Sequence, residues 1–151
     1  MAKSTAALAR RVWQMMCDVL IRSAPSRSES LSRRGLTPND SKALFSLDLK
    51  TGRSMRSLAD EWRCDPSNAT WIVDHLEELG LAQRQAVAHD KRIKLVTLTR
   101  RGEKIRAELL DEFHQPPPEL VRLDATDLEA LDRVLTKLTA ASNGRVNRRY
   151  T

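Results

Sequence analysis

The side chains that most often do chemistry are few in this sequence and lie far apart. The three histidines, His75, His89 and His114, belong to no zinc-protease, nucleophile-elbow, Walker or dinucleotide-binding motif. The two cysteines, Cys17 and Cys64, have neither disulfide nor metal-ligand spacing, which favours a reducing compartment. The five glycines leave little material for a phosphate-binding loop. We therefore expect no catalysis, no cofactor and no metal.

Basic charge is concentrated in one segment of the chain. Between Arg84 and Arg106 there are eight basic and two acidic residues, a surplus of six that equals the net charge of the whole 151-residue chain. A basic segment in an otherwise neutral chain suits a polyanion better than an evenly basic surface, although a solvated charged face is the alternative. The segment indicates contact with nucleic acid phosphates.

Side chains near the start of one predicted helix, residues 66–79, could read bases. One face of this helix is apolar, and the other carries Ser67, Asn68, Thr70 and Trp71. In helix-turn-helix docking, the N-terminal residues of the second helix reach base edges. Asn binds adenine through two hydrogen bonds, Ser and Thr serve several bases, and Trp71 could contact thymine methyls. Ser67 and Asn68 also lie in the first turn, where helix capping is the alternative role.

A polar turn, residues 89–92, separates two extended runs and predicts a β-hairpin. At its tip we expect Arg92 to enter a narrow minor groove, where the negative potential is strongest. Lys91 is expected to contact phosphate, and Asp90 to brace the Arg92 guanidinium. An exposed hairpin charge without a ligand is the alternative.

Arg84, at the start of the hairpin, is expected to serve DNA binding and structure together. Asp74 lies on the exposed face of the helix 66–79, where it would repel a phosphate. We therefore expect Asp74 to pair with Arg84 and to hold the hairpin to the helix.

Several helices must position these side chains. Apolar spacing predicts a first helix from Thr5 to Ile21, followed by a Ser- and Arg-rich loop or frayed connector from Ser23 to Gly35. A second helix is predicted to start at Thr37-Pro38-Asn39-Asp40, and two short helices follow over 56–63 and 66–79, the latter ended by Gly80. Extended runs are predicted over 82–88 and 93–99, and a further helix over 100–114. After a break at residues 116–118, a last helix is predicted from Asp124, with leucines at heptad spacing.

The order of these elements predicts a mainly α fold with a small β-hairpin wing (α+β), a winged helix-turn-helix lobe with further helices at both ends. Its motifs resemble the MarR family, the multiple-antibiotic-resistance regulators. The run VDHLEELGLAQR over 73–84, the wing residues DKR over 90–92 and the helix start LTRRG over 98–102 carry the resemblance, which is close over 37–102. Each motif is weak alone, whereas all three in order are specific.

The resemblance implies a homodimer with interlocked terminal helices and one winged lobe on each side. It implies that the recognition helix enters the major groove of a palindromic operator and that the wing enters the minor groove. The expected function is transcriptional regulation, with repression the expected mode, switched by a small ligand or an oxidant. Trp71 departs from the family, which often has Arg here, and this puts the usual half-site sequence in doubt.

The resemblance also implies an effector site near Trp13, Met16, Cys17 and Phe45, for a small phenolic or other aromatic ligand. All four residues could equally be core. Peroxide-sensing members keep a reactive cysteine near Cys17 but surround it with tyrosines, whereas the only tyrosine here is Tyr150. We therefore expect a buried, inert Cys17.

The predicted organisation is a single MarR-type domain over 1–151, with a winged lobe at 37–100, dimerisation helices at 5–22 and 101–141, and a disordered basic tail at 142–151. No signal peptide and no membrane span are evident in the sequence, so we expect a cytoplasmic protein that does not bind membranes. The alternatives are an architectural protein that binds nucleic acid without sequence preference, and a winged domain that contacts only proteins.

Overall fold

The protein is mostly helical and contains one three-stranded antiparallel sheet, which confirms the predicted fold class. The structure is a computed structural model that describes the backbone of residues 4–87 and 90–142 and the side chains of residues 4–86 and 94–140. The chain divides after Pro38 into two compact units, each described by itself below. Within the described ranges, no helix is both long and apolar enough to cross a membrane.

The elements follow one another in the order that the sequence predicts, with two additions, β1 and α6. Their bounds are α1 Thr5–Ser32, α2 Pro38–Ser46, β1 Arg53–Ser54, α3 Met55–Trp62, α4 Pro66–Glu78, β2 Ala82–Val87, β3 Asp90–Leu98, α5 Arg100–His114, α6 Pro118–Val121 and α7 Ala125–Ser142.

Helix α1 continues through most of the segment 23–35, so the predicted loop there is wrong. Its 28 residues include Pro25, which removes one backbone donor. Beyond Pro25, Leu31 is buried and Glu29 forms an ion pair with Arg33 at 3.3 Å. Helical stability in proteins comes mostly from burying one face, and this burial outweighs the poor helix propensity of the serine-rich run.

The core of the second unit lies among α2, α3, α4 and the sheet. Most of the apolar residues on α2, α3 and α4 and directly after these helices are buried, and Leu79, after α4, is half-buried. The buried ones are Ala43, Leu44, Leu47, Leu58, Ala59, Trp62, Ala69, Ile72, Val73 and Leu76. The indole N–H of Trp62 donates to the Ser46 hydroxyl at 2.8 Å, so its polar end is satisfied inside the core.

Helix α4 begins where the sequence predicts and ends within one residue of the predicted position. Asp65 occupies the N-cap position, and its side chain makes no cap hydrogen bond there. The start depends on Pro66, whose fixed φ suits the first helical position. At the other end Gly80 has φ 69°, and the next amide, that of Leu81, donates to the Leu76 carbonyl at 2.8 Å.

Strands β2 and β3 form the predicted hairpin, with Arg84 opposite Val96. The pairing extends to Val87 and Asp90 after an irregularity between Ala86 and Val87. Residues 90–92 therefore belong to β3, and their prediction as a turn is wrong. Ladder hydrogen bonds use only backbone groups, so they tolerate the charged side chains on which the turn prediction was based. The remainder of the predicted turn and run, residues 88–89, lies outside the described residues.

Strand β1 is a two-residue addition that pairs antiparallel with β3, placing Arg53 opposite Val96. Two residues show no alternation, which explains why the sequence pattern missed it. Its side chains tie the strand to α3, because the Arg53 guanidinium donates to Glu61 at 2.7 Å and to the Ser57 hydroxyl at 2.8 Å.

The turn after α2 holds β3 through Asp48. The Asp48 carboxylate accepts the amides of Lys50 and Thr51 at 2.7 and 2.9 Å, and its carbonyl accepts the Leu98 amide at 2.9 Å. The two amide bonds, that from Lys50 foremost, hold the pKa of the Asp48 carboxyl below its usual 3.8.

The C-terminal helices follow the prolines as predicted in outline. Helix α5 has the predicted bounds, and on it Phe113 packs edge-on against Phe45 of α2 at 5.9 Å between ring centroids. The three prolines separate α5 from α7, but Pro118 also opens the short helix α6. Helix α7 starts as predicted, since the Asp124 carboxylate accepts the amide of Asp127 at 2.9 Å.

Candidate nucleic-acid interface

One face of α4 is exposed while the opposite face forms part of the core. Ser67, Asn68, Thr70 and Trp71 are all exposed, and Trp71 keeps 54% of its surface accessible. The Thr70 hydroxyl donates to the Pro66 carbonyl at 2.9 Å. Its oxygen can therefore only accept from a ligand. The first two turns of α4 thus offer an amide, two hydroxyls and an indole on one surface.

Trp71 does not stand alone on this surface. Its indole stacks on the imidazole of His75 one turn later, with ring centroids 5.4 Å apart and an interplanar angle of 25°. His75 Nδ1 lies 3.0 Å from Oδ2 of Asp40, a fully buried residue in the first turn of α2. Sequence reasoning missed this pairing, because Asp40 and His75 are 35 residues apart and share no motif.

Arg84 connects the hairpin to α4 through two carboxylates. The predicted ion pair with Asp74 is present at 2.7 Å, and Glu77 binds the same guanidinium nitrogen. The Arg84 amide also donates to Glu77 at 2.6 Å. Sequence reasoning missed Glu77, although its position three residues after Asp74 places both on one side of the helix. With 19% of its side chain exposed and two acidic partners, Arg84 is directed toward α4.

A junction of four residues closes the base of the hairpin. The Thr99 hydroxyl donates to the Gly80 carbonyl at 2.7 Å and accepts the Gly102 amide at 2.9 Å, while the Thr99 amide donates to the Leu81 carbonyl at 3.0 Å. A Cβ on Gly102 would lie 1.9 Å from the Leu81 carbonyl oxygen. Only glycine allows this approach, so we call Gly80, Leu81, Thr99 and Gly102 the wing junction.

The basic segment divides into structural and exposed members. Arg106 donates to the Leu47 carbonyl at 2.7 Å, and Arg84 is held as described. Lys94, Arg100 and Arg101 are exposed. The segment therefore offers fewer charges to a polyanion than the sequence count suggests.

The side chains of Asp90, Lys91 and Arg92 lie outside the described residues, although their backbone begins β3. The roles assigned to these three residues from the sequence therefore stay predictions. Their strand is fixed at its other end by the wing junction, since Thr99 follows Leu98, the last residue of β3.

The residues predicted to line an effector site lie in both units. On α1, Trp13 is 61% exposed and both Met16 and Cys17 are half-buried, with Cys17 a free thiol. On α2, half-buried Phe45 contacts Phe113. The effector site stays a prediction.

Two helices carry long exposed apolar rows. Between 38% and 68% of the surface of each of these residues is accessible, which is unusual for so many large apolar residues on one chain. The rows consist of Leu8, Val12, Met15, Val19, Leu20 and Ile21 on α1, and Leu128, Leu131, Val134, Leu135 and Leu138 on α7.

Comparison with known proteins confirms the resemblance seen in the sequence. The model of the MarR family matches residues 34–93, which include α2, α3, α4 and most of the hairpin.

Solved structures extend the likeness to nearly the whole chain. The YusO protein from Bacillus subtilis is 24% identical, with a TM-score of 0.75, over 92% of this chain and 99% of that one. The multiple antibiotic-resistance repressor (MarR) from Listeria monocytogenes is 17% identical, with a TM-score of 0.78, over 93% and 99%. MepR from S. aureus, in a point mutant bound to an oligodeoxyribonucleotide, is 19% identical, with a TM-score of 0.67, over 88% and 96%. At these identities the likeness establishes the fold.

Proposed function

We propose that this chain, whose residues 34–93 match the model of the MarR family, is a transcriptional regulator that binds a palindromic DNA operator as a homodimer. The observation that carries the proposal is the exposed face of α4, where Ser67, Asn68, Thr70 and Trp71 lie together opposite a buried apolar stripe. The DNA-bound MepR, which shares the fold, supports it.

In this proposal the start of α4 enters the major groove. Asn68 would bind adenine through both amide atoms, and the Thr70 oxygen would accept from an exocyclic amine because its hydrogen is engaged by Pro66. Ser67, at the start of the helix, is suited to a phosphate or to a base edge. Trp71 would contact thymine methyls, and without a charge it cannot bind guanine as arginine does.

The wing would reach the flanking minor groove. We assign Arg92 to the groove floor, Lys91 to a phosphate and Asp90 to bracing Arg92. Arg84, engaged by Asp74 and Glu77, would act mainly by fixing the direction in which the hairpin leaves α4. Recognition helix and wing would then move as one body.

The exposed apolar rows on α1 and α7 support the homodimer. Exposed apolar rows such as these mark interaction sites, and a two-fold dimer is the commonest way to cover them. Two copies of α4 would then read half-sites roughly 34–36 Å apart, one helical turn of DNA. We further propose that the regulator acts as a repressor released by a small aromatic ligand, in line with the name of the Listeria protein.

Selection of bound sites from random duplexes tests the proposal. We expect a single palindromic motif, and affinity that falls on the order of 10³–10⁵-fold between 50 and 200 mM salt, as for 6–10 phosphate contacts. General coating of duplexes without a motif would favour the architectural alternative, and a flat salt response would exclude DNA as the main ligand.

A matched pair of lysine variants shows where the charge acts. Lys91→Ala should reduce the slope of affinity against salt by about one phosphate contact per wing. Lys137→Ala removes an exposed charge from α7, outside the winged lobe, and should leave the slope unchanged. Equal slopes for both variants would remove the wing from the interface.

A further inference from the structure

Three side chains form a continuous row from the protein interior to the exposed face of α4. Asp40 is fully buried, His75 lies 3.0 Å from it with a quarter of its side chain exposed, and Trp71 stacks on His75 with more than half its surface accessible. The row joins the first turn of α2 to the middle of α4.

In this row Asp40 holds the His75 ring, and the His75 ring supports the Trp71 ring. A single hydrogen bond joins His75 Nδ1 and Asp40 Oδ2 at 3.0 Å, and a hydrogen bond to a buried residue on another helix fixes the plane of the imidazole. The imidazole then presents a flat face one turn from Trp71, at the spacing at which side chains meet on a helix. An indole without this support could rotate about its side-chain torsions, since its surroundings are open.

We propose that His75 is a positioning residue for DNA recognition: anchored by Asp40, it orients the Trp71 indole and so sharpens the base preference at the position that Trp71 contacts. The inference rests on the proposed function, because it concerns the same DNA-reading face. His75 need not touch DNA for this role. The specificity of an exposed side chain would thus be set in part by a buried carboxylate on another helix.

The free protein offers the first test, through ¹⁹F NMR of protein labelled with 5-fluorotryptophan. The sequence has three tryptophans, and Trp71→Phe assigns the resonance of Trp71 by its loss. His75→Gln keeps a donor for Asp40 but removes the ring, and should shift and narrow the Trp71 resonance. The resonance of buried Trp62 should not move, which shows that the fold is intact. An unmoved Trp71 resonance in a folded His75→Gln protein would overturn the inference.

A second variant separates the effect of the stacked ring from that of the hydrogen bond to Asp40. His75→Phe keeps a stacking ring but loses the hydrogen bond to Asp40. We expect its Trp71 resonance to lie nearer that of the parent than in His75→Gln, while base preference is only partly retained. If the phenyl variant selects bases as sharply as the parent, Asp40 has no part in positioning.

Binding to the selected operator gives the decisive cycle. His75→Gln should weaken binding by about twofold to tenfold, the measured range for one aromatic pair, and should flatten the preference at one base of each half-site. In the Trp71→Ala background, His75→Gln should have no further effect. In the Asn68→Ala background, two turns away on α4, His75→Gln should cause the same loss of affinity as in the parent. Equal losses with and without Trp71 would show a merely structural role and overturn the inference.

The two kinds of failure differ. A parent protein that selects no DNA motif overturns the proposed function, and the positioning role in recognition with it. A parent that selects a palindrome, with a Trp71 resonance and base preference unaffected by His75→Gln, overturns the positioning role alone.

Discussion

Replacing Gly102 with alanine should destabilise the protein, although alanine is the better helix former. Gly102 lies in the first turn of α5, where its amide donates to the Thr99 hydroxyl. Helix propensity alone predicts a gain of about 1 kcal/mol for the alanine variant. The wing junction predicts the opposite, because the new Cβ would lie 1.9 Å from the Leu81 carbonyl oxygen and 2.8 Å from its carbon.

The size of the effect follows from what must move. Both opposing atoms belong to the backbone of Leu81, so no side-chain rotation relieves the overlap and the two segments must separate by roughly 1 Å. That separation breaks or lengthens the two hydrogen bonds from Thr99 to the Gly80 and Leu81 carbonyls, each worth about 0.5–1.5 kcal/mol, and the overpacking itself costs about 1 kcal/mol. A loss of about 2–4 kcal/mol against a gain of about 1 leaves a net loss of about 1–3 kcal/mol.

Thermal unfolding at fixed protein concentration measures this loss, which corresponds to roughly 3–10 °C for a chain of this length. Ala107→Gly, at an exposed position of the same helix, calibrates propensity and should cost about 1 kcal/mol. Thr99→Val, which removes the hydroxyl alone, should destabilise, whereas Thr99→Ser should not. A Gly102→Ala protein that melts at or above the parent temperature would refute the account of the junction.

Three further outcomes are expected. Arg92→Ala should weaken operator binding by roughly 1–3 kcal/mol per wing, most where A·T pairs flank the half-sites. Adding Asp90→Ala to this variant should weaken binding little further. If Arg92→Ala binds operators with A·T and with G·C flanks as tightly as the parent does, the wing assignment is refuted. Placing Glu at Leu131 and Leu135 should yield monomers by sedimentation, and an intact dimer would exclude α7 from the interface. Because the pKa of Asp48 is lowered by folding, its carboxylate stabilises the protein above about pH 3.8 and loses that effect as the pH falls further. Asp48→Ala should therefore melt lower than the parent at pH 7 but approach it in acid, and a difference that persists in acid would contradict this role.

The helices of the winged lobe were predictable because local and global signals agree there. On α4, apolar residues recur with a period of 3.6 between Pro66 and Gly80. In the structure these apolar residues are buried, and Gly80 ends the helix with a positive φ. The second half of α1 was not predictable, because its helix depends on the burial of Leu31 rather than on propensity. Local composition does not carry that information.

In the candidate site, too, some contacts were predictable from the sequence and others were not. Asp74 and Arg84 could be paired from sequence because helix and hairpin are adjacent and their charges are opposite. The contact of Asp40 with His75 joins residues far apart in the chain, and only the packing of α2 against α4 brings them together. Sequence therefore indicated which side chains face outward, but not what supports them from within.

The wing junction separates the tip of the hairpin from the rest of the domain. Gly80 and Leu81 lead into β2, Thr99 follows β3, and the hydrogen bonds among them close the hairpin at its base. Insertions, deletions and substitutions between β2 and β3 therefore need not disturb the helices. Regulators of this fold could diverge in the DNA flanks they prefer through the hairpin tip alone, and a tip from one could be grafted onto another at Ala86 and Lys94, beyond the contacts of the hairpin with α4 and β1.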